Sequence, residues 1–503
     1  MARLVVVSNR VPAPNGAAQA GGLAVVLEAL VSERGGLWFG WSGNVAADAV
    51  SRPVSVSSSG AVIHARLDLT PAEHEGYYNG FANGVLWPLF HTMPELMSYE
   101  RHDAVTYREV NARFADGLMP LLRSDDMLWV HDYHLMALPA QLRSRGVGNL
   151  IGFFLHIPFP AAEVMALAPA AARLIKDLLA ADLIGFQTAQ DMNNFAAAAE
   201  RLAGAVPLPG DALALRGRVI RLGVFPAEID PAKFAAIAAA SAAEPPAQRL
   251  LASLGEQKLM LGVDRLDPTK GLLQRLHGLR RLFERHPEWL RHTTLLQIAA
   301  LSRQDVTTYR DLKAAVDRVA GSLNADLGDA DWQPLRLLAK AGKRDVIAGY
   351  MRLARIGLVT PLRDGMNLVA KEYIAAQDPD NPGVLVLSRF AGAAEQLDAA
   401  LLVNPHDPDD IAEALHRGLA MGLDERRARW QALWQVLAST SSIGWGRAFL
   451  VALGRCTEAH RPMRAASVGL PLRAQSAAAL PALQPLLGTP GPRLDAEHPI
   501  HHH

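Results

Sequence analysis

Leu259-Met-Leu-Gly-Val-Asp-Arg-Leu-Asp-Pro-Thr-Lys-Gly271 opens as an apolar run, passes into a polar loop and leads into a helical pattern from about Gly271. Val-, Ile- and Leu-rich runs followed by such a turn recur at Leu4–Ser8, Met127–His131, Leu150–Leu155 and Leu183–Gln187 in the first half of the chain. In the second half they fall at Leu259–Val263, Thr294–Ile298, Gly357–Thr360, Val384–Leu387 and Leu401–Val403. Short strands alternating with helices of about three turns predict an α/β architecture with parallel sheets. Two sheets accommodate this series better than one. The Ala-rich stretch Pro231 to Pro246 lies between the halves, so the boundary is expected near residue 235. The expected units are 1–235 and 236–462, with the last helix free to return to the first unit. The segment 463–503, rich in Ala, Pro and Leu without a period, reads as a disordered tail.

Composition narrows the function. At 503 residues the chain suits about two to four folding units, and 50% hydrophobic with 20% charged residues excludes a disordered chain. Lys plus Arg and Asp plus Glu each total 50, so no global field draws the protein to nucleic acid or an anionic membrane. Any anion must be held by a local cluster. A single cysteine, Cys456, excludes an intrachain disulfide framework and a cysteine metal site, and fits a reducing cytoplasm. The start, with only Leu4–Val7 apolar before Ser8, lacks a secretory signal. Leu150–Leu174 is broken by Pro158, Pro160 and Glu163, which argues against a membrane span. The terminal His-Pro-Ile-His-His-His reads as a tag remnant or solvated extension rather than a metal cluster. Whether the chain forms a homo-oligomer is left open.

In open parallel sheets ligands bind beyond the carboxyl ends of the strands, where helix N-termini present free N–H groups. Ser8-Asn-Arg10 and then Gly21-Gly22 follow the first strand. Such a Gly pair either admits a phosphate close to the backbone or is a plain turn. Asp132, His134 and His156 stand at two further strand ends, as a polar site or as buried groups satisfied by backbone. No His-Glu-x-x-His helix accompanies them, so no metal is expected. Arg265 and Lys270 share one loop before a helix, a pattern suited to a phosphate, or else to pairing with Asp264 and Asp267. Asp364 precedes another helix and Glu372 lies two turns into it, spaced for sugar hydroxyls and a ribose with the intervening amides along a diphosphate. Glu372 could equally be an ordinary exposed helix residue.

These motifs, together with Trp-Phe-Gly-Trp-Ser-Gly (38–43), Tyr-Tyr-Asn and Val-Leu-Trp-Pro (77–88), His-Asp-Tyr-His-Leu, Gly-Phe-Phe-Leu-His-Ile-Pro-Phe-Pro and Leu-Arg-Asp-Gly-Met-Asn-Leu-Val-Ala-Lys-Glu-Tyr, resemble glycosyltransferase family 20, the retaining trehalose-6-phosphate synthases. The resemblance runs in order from about residue 3 to 455. It implies a GT-B fold, two Rossmann-like domains facing across a deep cleft, with no cofactor. It also implies transfer of glucose from a nucleotide-glucose, usually UDP-glucose, to glucose 6-phosphate. Carried over by position, Gly21, Gly22, Arg265, Lys270, Asp364, Asn367, Leu368, Val369 and Glu372 match donor contacts, and Arg10, Tyr78, Trp87, Asp132 and Arg303 match the acceptor site, with Trp41 beside it. His156 matches the residue that touches the donor glucose near the reacting centre, so His156, Arg265, Lys270 and Asp364 are the catalytic candidates. Departures stand at Pro268 (commonly Tyr), Glu228 (Gly in the junction turn), Gly342 (often aromatic) and Arg355 (usually Asp), and bear on donor base preference and the hinge.

Two other readings stay open on sequence. One is a family 20 transferase with another phosphorylated acceptor, such as glycerol 3-phosphate. The other is a catalytically silent subunit that senses sugar phosphates.

Overall fold

The computed structural model describes residues 2–11, 27–28, 30–33, 35–302 and 306–456. Ten strands form the first sheet: β1 Leu4–Arg10, β2 Gly36–Val45, β3 Ser55–Ser59, β4 Val62–Leu69, β5 Met127–His131, β6 Leu150–Phe154, β7 Leu183–Phe186, β8 Val206–Leu208, β9 Ala212–Leu215 and β10 Arg218–Val224. Their spatial order is β3-β4-β2-β1-β5-β6-β7-β10-β9-β8. The run from β4 to β10 is parallel, with antiparallel pairing at both edges. The second sheet holds β11 Lys258–Arg265, β12 Thr293–Ala300, β13 Leu335–Leu338, β14 Ile356–Val359, β15 Val384–Ser388 and β16 Leu401–Val403, in the order β13-β12-β11-β14-β15-β16, all parallel.

β1 shows why its sequence makes a central strand. Val5 and Val7 face one apolar core while Leu4 and Val6 face another, so both sides of the sheet are covered. The helices that matter for the site are α1 Arg101–Leu118, α2 Pro231–Ala242, α3 Leu272–Arg285, α4 Arg344–Leu353, α5 Leu368–Ala376, α6 Leu423–Ala438 and α7 Ser442–Gly454. The final helix, α7, lays Trp445, Phe449, Leu450 and Leu453 on the Leu4/Val6 face of the first sheet. Gly152 and Gly185 make this fit: a Cβ on either would come within 2.6 or 2.8 Å of the Phe449 ring. No single helix among the described residues is long and apolar enough to cross a membrane.

Several strands differ from the sequence reading. β2 and β4 pair in the first sheet although neither reads as an apolar run. β4 hides His64 and Arg66, each 7% exposed, among its apolar residues. β13 and the short edge strands β3, β8 and β9 are likewise too brief or too polar to stand out, and β10 carries arginines within it. The stretch Pro231–Pro246 is helical for most of its length, and Phe234 and Ala238 of α2 pack in a core of the second sheet. The chain therefore passes between the sheets just before Pro231, a few residues ahead of position 235. It returns beside the same point, where Ser442 N donates to Ile229 O at 3.2 Å and Trp445 Nε1 to Phe225 O at 2.9 Å.

A buried ion pair fastens this crossing. Lys371 of α5 places Nζ 2.8 Å from Glu228 Oε2 and donates to Ala227 O at 2.9 Å and Gln396 Oε1 at 2.7 Å. Gln396 Nε2 in turn donates to Glu228 Oε1 at 3.2 Å. Glu228 is the junction residue at which the resemblance implies Gly. The two side chains are 6% and 1% exposed, so removing one partner strands the other's charge in a dry site. Glu228→Ala should lower the unfolding free energy by about 3–5 kcal/mol. Glu228→Leu with Lys371→Met should recover most of that loss in the same denaturant titration. Equal stability of Glu228→Ala and wild type would show that the pair carries no weight.

Candidate active site

Each sheet has a point where successive connections leave in opposite directions, and there the strand ends open a crevice. In the first sheet it lies between β1 and β5. Arg10 ends β1 with its guanidinium 5.8 Å from the Trp41 ring of β2. Tyr78 sits on a π-helical segment, His74–Leu86. Its ring is 5.7 Å from Trp41 and stacks on His134 at 5.7 Å and 11°. Asp132 follows β5 at φ 74°, ψ 166°, a conformation that residues with a side chain avoid. That strain turns Asp132 Oδ1 onto the backbone N–H of His156, 3.2 Å away, beyond the end of β6.

In the second sheet the crevice lies between β11 and β14. The buried Asp267 organises the loop after β11: Oδ1 accepts from Thr269 N at 3.0 Å and Thr269 Oγ1 at 2.9 Å, and Oδ2 accepts from Tyr309 OH at 3.2 Å. Pro268 opens the short 3-10 turn Pro268–Lys270, a position where its missing N–H is not needed. Arg275 of α3 braces the loop from below, with Nη1 2.5 Å from Asp264 and Nε 3.0 Å from Thr360 Oγ1. Lys270 Nζ lies 2.5 Å from Asp364 Oδ2, which also accepts from Asn367 Nδ2 at 3.0 Å. Asn367, at φ 76°, caps α5 by accepting from Ala370 N. The Leu368 and Val369 amides precede that bond as the helix's first free donors. Glu372 accepts from Arg344 of α4 at 3.0 Å, so it is a paired residue at 16% exposure rather than an open helix position.

The two crevices meet. A Cβ on Gly365 would lie 2.2 Å from His156 O, and one on Gly392 would lie 1.9 Å from Gly365 O. Only glycine lets the Asp364–Gly365 turn rest on the main chain that carries His156. Trp87 bridges the same gap: its indole N–H donates to Asp267 Oδ1 at 3.3 Å, and the Arg265 guanidinium lies 5.6 Å from its ring. Trp87, expected at the acceptor, is thus also a tie between the halves. Gly21, Gly22 and Arg303 lie outside the described residues, as do 463–503 and the terminal histidines.

Burial sets the charges. It pushes His156 down to about 3 and His91, which donates through Nδ1 to Trp87 O at 2.8 Å, down to about 4. Burial would raise Asp364, but the Lys270 charge and hydrogen bond outweigh it and hold the carboxyl below its usual range. Glu372 is raised by burial against the opposing pull of Arg344. Sequence reading passed over His91, His131 and Gly365. His131 opens the quoted His-Asp-Tyr-His-Leu motif, and its position at the end of β5 was a usable signal. His91 carries no motif. Among the described residues, one group could hold a metal ion, His286, Glu288 and His416. It lies at the far end of α3 from this site, and His416 Nδ1 already accepts from Trp289 Nε1.

The family model for glycosyltransferase family 20 matches residues 4–455. The chain belongs to glycosyltransferase family 20. A trehalose-6-phosphate synthase of Sinorhizobium fredii is 45% identical over 453 residues, covering 90% of this chain and 98% of that protein. Among solved structures, the UDP-forming α,α-trehalose-phosphate synthase of Burkholderia xenovorans in complex with glucose 6-phosphate superposes with a TM-score of 0.87 at 44% identity, covering 90% of this chain and 100% of that one. An Escherichia coli structure bound with UDP-2-fluoro glucose superposes with a TM-score of 0.85 at 41% identity, over 90% and 99% of the two chains. The family 20 chain has the GT-B arrangement of these neighbours.

The depressed histidines make stability acid-sensitive. Unfolded histidine binds its proton below about pH 6.5, whereas folded His91 stays neutral to about pH 4, so stability falls as pH drops through that window. His91→Phe should lose about 2–3 kcal/mol less than wild type between pH 7 and 4.5 in urea titrations. An identical loss in both proteins would assign the acid sensitivity elsewhere.

Proposed function

We propose that this protein transfers glucose, with retention, from UDP-glucose to glucose 6-phosphate, giving α,α-trehalose 6-phosphate, and that it does so without a metal in the cytoplasm. The observation that carries this reading is the assembly of Lys270, Asp364 and the free amides at the start of α5 against the main chain of His156. Arg265, Lys270 and the amides of Leu368 and Val369 receive the diphosphate. Asp364 Oδ2 is occupied by Lys270 and Asn367, which leaves Oδ1 for a sugar hydroxyl. Glu372 takes the ribose, and Gly21 and Gly22 approach the phosphates.

For the acceptor, the resemblance assigns Arg10 and Arg303 to the phosphate, as charge-assisted pairs. Tyr78, Trp87 and Trp41 offer ring-sized apolar faces, and Asp132 accepts a hydroxyl. Bond breaking between the anomeric carbon and the diphosphate oxygen leaves negative charge on the phosphate. Arg265 and Lys270 stabilise it where other transferases use a metal ion. The acceptor hydroxyl attacks from the same face, and its proton passes to the departing phosphate oxygen. Two opposed carboxylates of the glycosidase kind are not needed. The pyranose-sized faces favour glucose 6-phosphate over glycerol 3-phosphate. A silent sensing role is disfavoured because the charged donor candidates are all retained.

The test mixes the protein with UDP-glucose and glucose 6-phosphate in excess chelator and resolves the products. UDP and an α,α-linked phosphodisaccharide should form, and Arg265→Ala or Lys270→Ala should lower turnover by about a hundredfold to a thousandfold. Glucose 6-phosphate should exceed glycerol 3-phosphate by at least about a hundredfold in kcat/KM. Activity lost in chelator and regained with a divalent ion, or equal use of both acceptors, would overturn the corresponding part of the assignment.

A further inference from the structure

One buried group near the reaction centre is not used by this mechanism. His131, the last residue of β5, is 1% exposed, and its Nδ1 lies 3.0 Å from His156 Nε2. The rings face each other at 5.3 Å and 26°. Apolar rings enclose the pair: Trp129 lies 4.5 Å from His131, Phe154 lies 4.6 Å from His156, and Trp445 of α7 lies 6.0 Å from His156.

We propose that His131 is a positioning residue that fixes the tautomer of His156, so that His156 meets the donor sugar as a hydrogen-bond donor through Nδ1–H. The assignment follows from proton counting. The Nε2 of His131 is buried with no partner. A proton there would be an orphaned N–H, whereas a bare lone pair is the lesser penalty. The His131 proton therefore sits on Nδ1 and is donated to His156 Nε2. With Nε2 accepting, the proton of neutral His156 resides on Nδ1. That atom has no protein partner among the described residues and is not sealed from the cleft. Burial depresses both imidazoles, so neither carries a second proton near neutral pH, and a swap of roles would put the His131 proton on its partnerless Nε2. Free neutral histidine favours the opposite form, Nε2–H, and the dyad therefore imposes a state the ring would not choose. No atom of His131 is expected to touch substrate.

The inference rests on His156 as the sugar contact, and the test separates the two. Nitrogen-15 spectra of histidine-labelled full-length protein report the tautomer without substrate. His156, assigned by its loss in His156→Ala, should show a protonated Nδ1 and a bare Nε2. An Nε2–H signature in wild type would overturn the proposal. Asn and Leu are close in size, but only Asn offers a donor near the Nδ1 position. His131→Leu should release His156 to the Nε2–H form and lower kcat/KM for UDP-glucose by about tenfold to a hundredfold with the KM for glucose 6-phosphate unchanged. His131→Asn should restore much of that loss. Equal kinetics of the Leu and Asn variants, or a Leu variant at wild-type efficiency, would refute the positioning role. Wild-type efficiency in His156→Ala would instead remove the sugar-contact reading and with it the functional half of the proposal, while the tautomer signature stands apart.

Discussion

The backbone of the second sheet's loop rests on the backbone of the first sheet's loop at Gly365, and the rest of the site depends on that contact. Gly365 approaches His156 O more closely than any residue with a Cβ could. The close approach puts Asp364 and the start of α5 beside His156, so that residues more than two hundred positions apart in the chain share one cleft. The Trp87–Asp267 bond and the Lys371–Glu228 pair hold the same arrangement from two other directions. Those ties are polar, and one joins full charges in a dry setting, which gains little net stability but penalises separation of the halves strongly.

The charged donor-side residues are paired before any ligand enters. Lys270 lies on Asp364, Arg265 stands 3.9 Å from Asp267, and Glu372 on Arg344. An incoming diphosphate competes with Asp364 for Lys270, and the freed carboxylate capacity then faces the sugar. Neutral, half-buried His156 adds no charge to these pairs, which suits a group that orients a hydroxyl rather than one that moves a proton. The covering role of α7 belongs to the same design. Its Trp445 and Phe449 keep the region behind His131 and His156 dry.

Much of this was legible because it rests on local rules. The strands β1, β5, β6, β11 and β14 are continuous apolar runs, and the polar residues after them lie where parallel sheets open crevices. β2 and β4 escaped notice because Trp, Gly, His and Arg interrupt the aliphatic residues of their buried stretches. No single-chain pattern announces which glycine is required by a neighbour distant in sequence, so Gly365 reads as a turn residue. His131 and His91 were passed over for a related reason: their roles depend on a partner ring or a partner carbonyl that only the fold supplies. Glu228 read as a departure at the hinge, and the buried Lys371 that explains it sits next to Glu372 without any sequence sign of where its side chain goes.

The most direct measurement is steady-state kinetics of Gly365→Ala beside its melting curve. A methyl group at that point must displace the two loops from each other, and a displacement of about 1 Å at reacting groups lowers rates on the order of a hundredfold. Turnover should fall by that order while each half keeps its cooperative unfolding. Near wild-type turnover at saturating donor and acceptor would contradict the claim that this backbone contact sets the geometry of the site.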